Sequence, residues 1–518
     1  MCGILYTNYK NLPKNKFIEA LNLLNHRGPD AQGFASLKDH KFGHKRLKII
    51  DLDNRSNQPM YSQCGNYLVI FNGEIYNFKE LAKKYLKNIK LKTTSDTEIL
   101  LELFTIYGSE SLDLLDGMFA FVIYDIKKDS IFAARDRMGV KPLYIHQNSK
   151  GLIISSELAP IISLIDTVQY DSEGIRQYLK MRSFFNQCTI YKNIKIFEPG
   201  SYFRNNKKYK YWNLPRGTKE LPSDQELVYL IEQSIKEREQ ADVSIGSYLS
   251  GGLDSSLISA KANINDTWTV GFKENNEFKW STMVAKKIQT NHHEVRITEN
   301  EFLLTARDII QKTKRPLSVP NEVLLYKMTK EVKTLNTVVL SGEGADELFF
   351  GYDRIFSWAN SSKNFDISKF DKLYSYGSHK DFEIIESIIE PYLESGETID
   401  IISRFFQIGH LEGLLLRLDS STMLNSVEAR VPFVDNRKLI ERMAGVNFNG
   451  RFKKQQLKRI SKNILPPSII RRKKIGFPVN LSKIKFNNKV KNNQYDNWLS
   501  FNLNTLIGED FDIREYVQ

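Results

Sequence analysis

Cysteine is scarce in this 518-residue chain. Only Cys2, Cys64 and Cys188 occur, too few and too widely spaced for a disulfide framework or a zinc cluster, so a reducing cytoplasm is the expected compartment. No run approaches the roughly 18 apolar residues that cross a bilayer. The N-terminus has no basic region leading into an apolar stretch, so neither a membrane nor a secretory signal is expected. No segment repeats at a solenoid period. Acidic residues are outnumbered, 61 against 74 basic ones, for a net charge of +13. The basic runs "KKYK" (207–210) and "RRKK" (471–474) lack any flanking zinc-finger, RNA-recognition or helix-turn-helix pattern. The charge therefore reads as a Lys-rich surface or a basic cleft for a small anion, and nucleic acid is not expected as a partner.

What is present suffices for ordinary globular cores, with 41% hydrophobic and 12% aromatic residues, and the length favours two or more domains. "YLVIFNGEIYN" (67–77) and "MFAFVIYDIKKDSIFAARD" (118–136) read as strands bounded by Gly, Asn and Asp. Between them "SDTEILLELFTIYG" has helical spacing, with Ser95 and Glu98 as a capping box and Gly108 as the stop. Mixed strands and helices up to about residue 200 suggest an α+β layered domain. The Pro- and Gly-containing stretch 211–225 reads as a linker. Beyond it, "VSIGSYL" runs into "SGGLDSSLISAKA", and "NTVVLSGEGADELFFGY" (336–352) repeats the strand-to-Gly-rich-turn pattern. Such alternation predicts an α/β doubly wound parallel sheet, which binds ligands where its strands end in a crevice. After Pro478 the chain is Asn/Lys-rich and weakly periodic, and reads as a loosely packed helix or tail.

Cys2 directly follows the initiator Met. Its removal would expose an α-amine, with a pKa of about 8, beside the thiol on one residue, so nucleophile and base come together. Alone, Cys2 reads as an ordinary strand residue. A thiolate attacking a carboxamide also needs an oxyanion hole, a carboxylate clamp and an anion for an ammonium. Asn72 and Gly73 offer the first, Arg46 the second and Asp96 the third, although Asn-Gly is also a common turn and Asp96 sits at a helix start.

"SGGLDSS" (250–256) is no Walker A loop, because no Gly-Lys-Ser/Thr follows. Its glycines still let backbone N–H groups approach phosphate, and Ser250, Ser255 and Ser256 add hydroxyls. The Asp254 carboxylate would repel phosphate unless Mg²⁺ lay between them. Glu343, Asp346 and Glu347, beside Gly342 and Gly344, supply a second acidic turn. Each loop alone could be a capped, acidic helix start.

"MCGI", "HRGPD", "RLxIID", "QPM", "NGEIYN", "SDTE", "GMFAF" and "ARDRMGVKPLY" occur in order over residues 2–212. The first half thereby resembles the class II glutamine amidotransferase domain. Ser-Gly-Gly-x-Asp-Ser resembles the signature of ATP pyrophosphatases. With "WTVGF", "LSGEGADELFFGY", "SVEARVPFVD" and "LPPSIIRRKKIGFPV", the whole chain resembles the glutamine-hydrolysing asparagine synthetase family. The resemblance implies an α+β N-terminal nucleophile (Ntn) hydrolase sandwich over 2–212, then an α/β doubly wound domain of the ATP-pyrophosphatase type over 225–518. It implies Cys2 as nucleophile, Asn72 and Gly73 as oxyanion donors, and Arg46, Asn72, Gly73, Glu74 and Asp96 around glutamine. Nucleotide contacts fall on Leu249, Ser250, Gly251, Gly252, Asp254, Ser255, Val270, Ser341 and Gly342, with Asp254 and Asp346 toward Mg²⁺. Glu343 is the implied base for the attacking ammonium. Lys474 is the implied lysine for pyrophosphate, with Lys473 a one-residue rival. ATP, Mg²⁺, glutamine and a carboxylate acceptor are the implied ligands; family members often dimerise.

The acceptor region departs from the family pattern. "RPLSVPNEVLLY" (315–326) carries Arg315 where Glu is usual, Val319 where Asp is usual, and Asn321–Glu322 for Ser-Ala; "DSSTM" (419–423) has Ser420 for Arg. These swaps read either as a changed anion pocket or as drift on a surface loop. Aspartate amidation and amidation of another carboxylate, such as a uronic-acid sugar, therefore both stay open. A non-catalytic glutamine or nucleotide sensor is the reading that loss of Cys2, Asp254 or Asp346 would have favoured, and all three are present.

Overall fold

In the structure, a computed structural model, residues 2–216, 220–446, 448, 451–473, 479–486, 493–508, 511 and 516 are described. The first half is two stacked antiparallel sheets, each of six strands. In the first, Cys2–Thr7 lies between Gly151–Ser155 and His40–Arg46. In the second, Tyr67–Ile75 and Gly117–Asp125 form the centre, pairing over nine residues. Period-two alternation builds the layers. Leu68 and Ile70 point between the sheets against Ile4, Tyr6 and Phe42, whereas Val69 and Phe71 point outward under helix Asp96–Tyr107, against Ile99 and Leu103. Helices Lys14–Asn22 and Leu158–Leu164 cover the other outer face through Phe17, Leu21 and Ile161. The result is the expected helix–sheet–sheet–helix sandwich.

Ser95 caps helix Asp96–Tyr107 by accepting from the Thr97 N–H at 3.1 Å. The expected capping box does not form. Glu98 instead turns back to the preceding loop and accepts from the Lys92 and Thr93 N–H groups at 2.9 and 2.7 Å.

The second half is built on a parallel five-stranded sheet. Its order is Asn291–Arg296, Asp266–Gly271, Ile245–Tyr248, Val338–Leu340, Glu428–Arg430. All five strands run parallel, but the order in which they are added reverses between Ile245–Tyr248 and Val338–Leu340, so the loops after these two strands open at the switch point where such sheets bind ligands. The Asn/Lys-rich C-terminal region differs from expectation. Helix Gln494–Ile507 is tightly packed, with Trp498, Leu499 and Leu503 fully buried in the main core. Its periodicity is masked by buried polar residues that serve the backbone of other segments. Asn502 accepts from the Leu317 N–H at 2.8 Å and Asp496 from the Ser378 N–H at 3.0 Å.

The halves are joined by buried polar contacts. Arg27 donates to Asp419 at 2.9 Å, Arg135 to Glu412 at 2.6 Å, and the Ser426 hydroxyl to the His26 carbonyl at 2.6 Å. Among the described residues, no helix is long and apolar enough to cross a membrane.

Candidate active sites

Cys2 opens its strand directly opposite Arg46 and is buried. Its nitrogen donates to Asn72 Oδ1 at 3.0 Å, and its carbonyl accepts from Arg27 Nε at 3.1 Å. Asn72 belongs to the facing sheet, so this contact fixes Cys2 across the two layers. With the Asn72 oxygen committed to Cys2, Asn72 Nδ2 is buried and has no hydrogen-bond partner among the described residues. An unpaired buried donor costs about 1–3 kcal/mol, and such a donor is poised for an oxyanion. Gly73 follows, and a side chain there would place Cβ 2.1 Å from the Met118 carbonyl oxygen, so the strand pair can close only over glycine.

Asp96 stands at the first position of its helix and accepts from the Ile75 N–H at 2.9 Å. Burial raises its carboxyl to a pKa of about 6. Glu74 is pushed well above the usual carboxylate range by burial and by the Glu428 and Asp96 carboxylates, with Arg430 pulling the other way. Burial also pushes the Cys2 thiol up, so a thiolate there needs a base beside it. Arg46 is buried, and its terminal nitrogens serve the 50–57 loop. They donate to the Asp53 carbonyl at 2.7 Å, Asn57 Oδ1 at 2.8 Å, the Ile50 carbonyl at 3.4 Å and the Asp51 carbonyl. Arg46 is therefore engaged by the 50–57 loop, and a substrate carboxylate would share it with that loop.

At the switch point of the parallel sheet the two Gly-rich loops touch. A Cβ on Gly342 would lie 2.8 Å from the Ser255 nitrogen. Gly251 has φ +73° and would bring a Cβ within 2.6 Å of the Trp280–Ser281 backbone. The Ser255 hydroxyl lies 3.0 Å from that of Ser250, which in turn accepts from the Gly252 N–H at 3.2 Å, so the hydroxyls hold the turn. Leu249 and Val270 are buried in the core, so what they offer a ligand is their main chain. Ser341 Oγ accepts from the Glu343 N–H at 3.3 Å, and Glu343 is held by Arg417 at 3.0 Å.

Lys454 Nζ pairs with both Asp254 and Asp346, the latter at 2.6 Å. An ammonium between two carboxylates shows that the pair creates a cation position. Two carboxylates facing a phosphate loop are the donor set Mg²⁺ takes when phosphate oxygens complete its shell. Sequence reasoning missed Lys454, which lies in "RFKKQQ" with nothing to single it out. It also missed Arg472, which donates to the Gly251 carbonyl at 3.3 Å, pairs with Glu277 and packs over Trp280. Lys474 lies outside the described residues; Lys473 is described and exposed, and makes no hydrogen bond or ion pair among the described residues.

Of the departures in the acceptor region, Arg315, Glu322 and Ser420 are buried and Val319 and Asn321 half-buried, and Arg315 and Glu322 pair with each other. Arg315 Nη2 donates to Glu322 Oε2 at 2.6 Å, and Glu322 also accepts from the Ser318 and Val319 N–H groups. The charge of Arg315 is thereby neutralised within its own segment. Ser420 is buried beside Asp419, which pairs with Arg27 and, at 3.4 Å, Lys141.

Residues 1–212 match the family described as glutamine amidotransferase domain, and 226–500 the family described as asparagine synthase. The chain is 30% identical to the glutamine-hydrolyzing asparagine synthetase 1 of Bacillus subtilis (strain 168), over 92% of this chain and 87% of that protein. It is 29% identical to the glutamine-hydrolyzing asparagine synthetase B of Escherichia coli (strain K12), over 90% and 79%. Against the solved glutamine phosphoribosylpyrophosphate amidotransferase of B. subtilis the TM-score is 0.33 at 14% identity, over 57% of this chain and 65% of that one, a likeness too slight to bear on the fold. Two matched segments in this order, each carrying its own polar cluster, and a relative aligned along nearly the whole chain lead to one conclusion: the chain belongs to the asparagine synthase family.

Proposed function

We propose that this chain is a glutamine-dependent asparagine synthetase, with a glutaminase domain over 2–212 and a synthetase domain over 225–518. Cys2 attacks the glutamine carboxamide, its own α-amine taking the thiol proton once Met1 is removed. Asn72 Nδ2 and the Gly73 N–H stabilise the oxyanion, ammonia leaves, and water releases glutamate from the thioester. Asp96 and Glu74 hold the α-ammonium; Arg46 faces the α-carboxylate. In the crevice, ATP and aspartate give an acyl-adenylate and pyrophosphate. Asp254 and Asp346 would hold Mg²⁺, which supplies charge neutralisation at the phosphates. Ammonia attacks the adenylate, Glu343 accepts a proton, and asparagine and AMP result. Lys474 is the proposed lysine for pyrophosphate. The partners are small molecules: glutamine, ATP and aspartate.

The observation that carries the glutaminase step is the buried, unpartnered Asn72 Nδ2 beside Cys2. The experiment is Cys2→Ala in the full chain. Glutamine-dependent asparagine formation should vanish while ammonia-dependent formation persists; loss of both, or of neither, contradicts the assignment. A second reading, amidation of a different carboxylate by the same chemistry, draws on the buried Arg315–Glu322 pair. That pair leaves the segment without the free acid usual in the family.

A further inference from the structure

The segment "SVEARVPFVD" belongs to the synthetase half, yet its charged side chains reach the glutamine pocket. Arg430 is fully buried. Its Nε donates to Glu428 at 2.6 Å and its Nη1 to the carbonyls of Arg238 and Gln240 at 2.7 and 2.8 Å. Its Nη2 faces Glu74 Oε1 at 3.8 Å; among the described residues neither Nη2 nor Glu74 Oε2 has a hydrogen-bond partner. Tyr76, two residues beyond Glu74, lies against the guanidinium groups of Arg238 and Arg430 and donates to Asp435 at 3.2 Å. At its other end Arg430 reaches the nucleotide loop. It pairs in register with Leu340, and its carbonyl accepts from the Ser341 N–H at 2.9 Å.

We propose that Arg430 is a positioning residue of the glutamine pocket supplied by the synthetase half: its guanidinium orients the Glu74 side chain for the substrate α-ammonium, and its backbone ties that orientation to Ser341. The inference rests on the reading of this pocket as a glutaminase site. Among the described residues, the charged groups facing Glu74 are Asp96 from the helix and Glu428 and Arg430 from the synthetase strand. Burial and the two neighbouring acids already push the Glu74 carboxyl up against the pull of Arg430; losing the guanidinium would push it further, and a protonated carboxyl cannot hold an ammonium.

The test uses full-length Arg430→Lys and Glu428→Gln, with glutaminase KM and kcat followed across pH and ammonia-dependent pyrophosphate release as the check on folding. Arg430→Lys keeps a charge but loses the fork, and should raise the KM for glutamine about tenfold while kcat changes less than about threefold. The pH below which KM climbs should move up. Glu428→Gln removes the competing acid, and should lower KM and move that pH down. Opposite shifts from two neighbouring replacements are not what general loosening produces. An unmoved KM in both variants, or a rise in both, overturns the proposal; should one variant fail to fold, the direction in the other decides. Native enzyme that hydrolyses glutamine while the variants stay unmoved leaves the functional reading standing. Native enzyme that hydrolyses none removes the reading and this proposal together.

Discussion

Replacing Asn72 by Asp removes one donor and keeps the acceptor beside it, which separates the two jobs of this side chain. The oxygen holds the Cys2 nitrogen at 3.0 Å, and Asp retains an oxygen there. Nδ2 has no hydrogen-bond partner among the described residues of the free protein, so its loss breaks no bond to them. Any bond it makes to the tetrahedral oxyanion is therefore gained only during reaction. One lost oxyanion donor typically costs about 3–4 kcal/mol, or roughly a hundred- to thousandfold in kcat. A carboxylate facing an oxyanion adds repulsion, so Asn72→Asp should fall at the severe end. Asn72→Ala loses the donor and also the anchor on Cys2, a further ~1 kcal/mol. The assay is glutamate release from saturating glutamine, with ammonia-dependent asparagine formation as the internal control. Both variants should keep the ammonia reaction, and their glutamine KM should move much less than kcat. If Asn72→Asp retains kcat within about threefold of native, Asn72 is not an oxyanion donor and the account of this pocket is wrong.

Lys454→Met should lower the stability of the ligand-free protein by about 3 kcal/mol, because it removes the buried ammonium that pairs with both the Asp254 and the Asp346 carboxylate. Thermal unfolding should recover more with added Mg²⁺ in the variant than in native protein; equal melting temperatures without Mg²⁺ would remove this role. Glutamine KM should climb as pH falls through about 6, because Asp96, raised to about 6 by burial, must be ionised to hold an ammonium. A KM flat from about pH 5 to 8 would contradict that. The same raised pKa makes an ionised Asp96 unfavourable to folding. Its contribution to stability is full below the unfolded value of 3.8 and is lost as pH rises to about 6, so Asp96→Asn should be relatively more stable above pH 6 in chemical denaturation. Arg315→Ala should destabilise by about 3–5 kcal/mol by stranding Glu322, and Arg315→Ala with Glu322→Ala should recover most of it. Additive losses in that double-mutant cycle would show the pair to be uncoupled.

Strand alternation was legible because each face of Tyr67–Ile75 meets an apolar layer, so Leu68 and Val69 announce opposite neighbours. The Gly-rich turns were legible because their chemistry is local: Gly251 and Gly342 are glycines for the close approaches they make within and between the loops. Lys454 was not, since its meaning comes from Asp254, 200 residues away. Arg430 and Glu74 meet only when the two halves pack, and no spacing encodes that. The helix Gln494–Ile507 was misread as loosely packed because Asp496 and Asn502 are buried to serve the backbone of other segments, which erases the apolar stripe. Glu98 followed loop geometry rather than the capping pattern it fitted. Arg315 looked like a new free charge because its partner, although only seven residues on, lies across a turn.

The central claim is tested most directly by following pyrophosphate, AMP and amide formation in full-length protein with glutamine and Mg-ATP, comparing aspartate with uronates and other carboxylates. The account predicts aspartate-dependent pyrophosphate release matched one for one by AMP and asparagine. Glutamine hydrolysis with no aspartate-driven pyrophosphate, but with turnover on another acid, would contradict it and make the chain an amidotransferase of a different carboxylate.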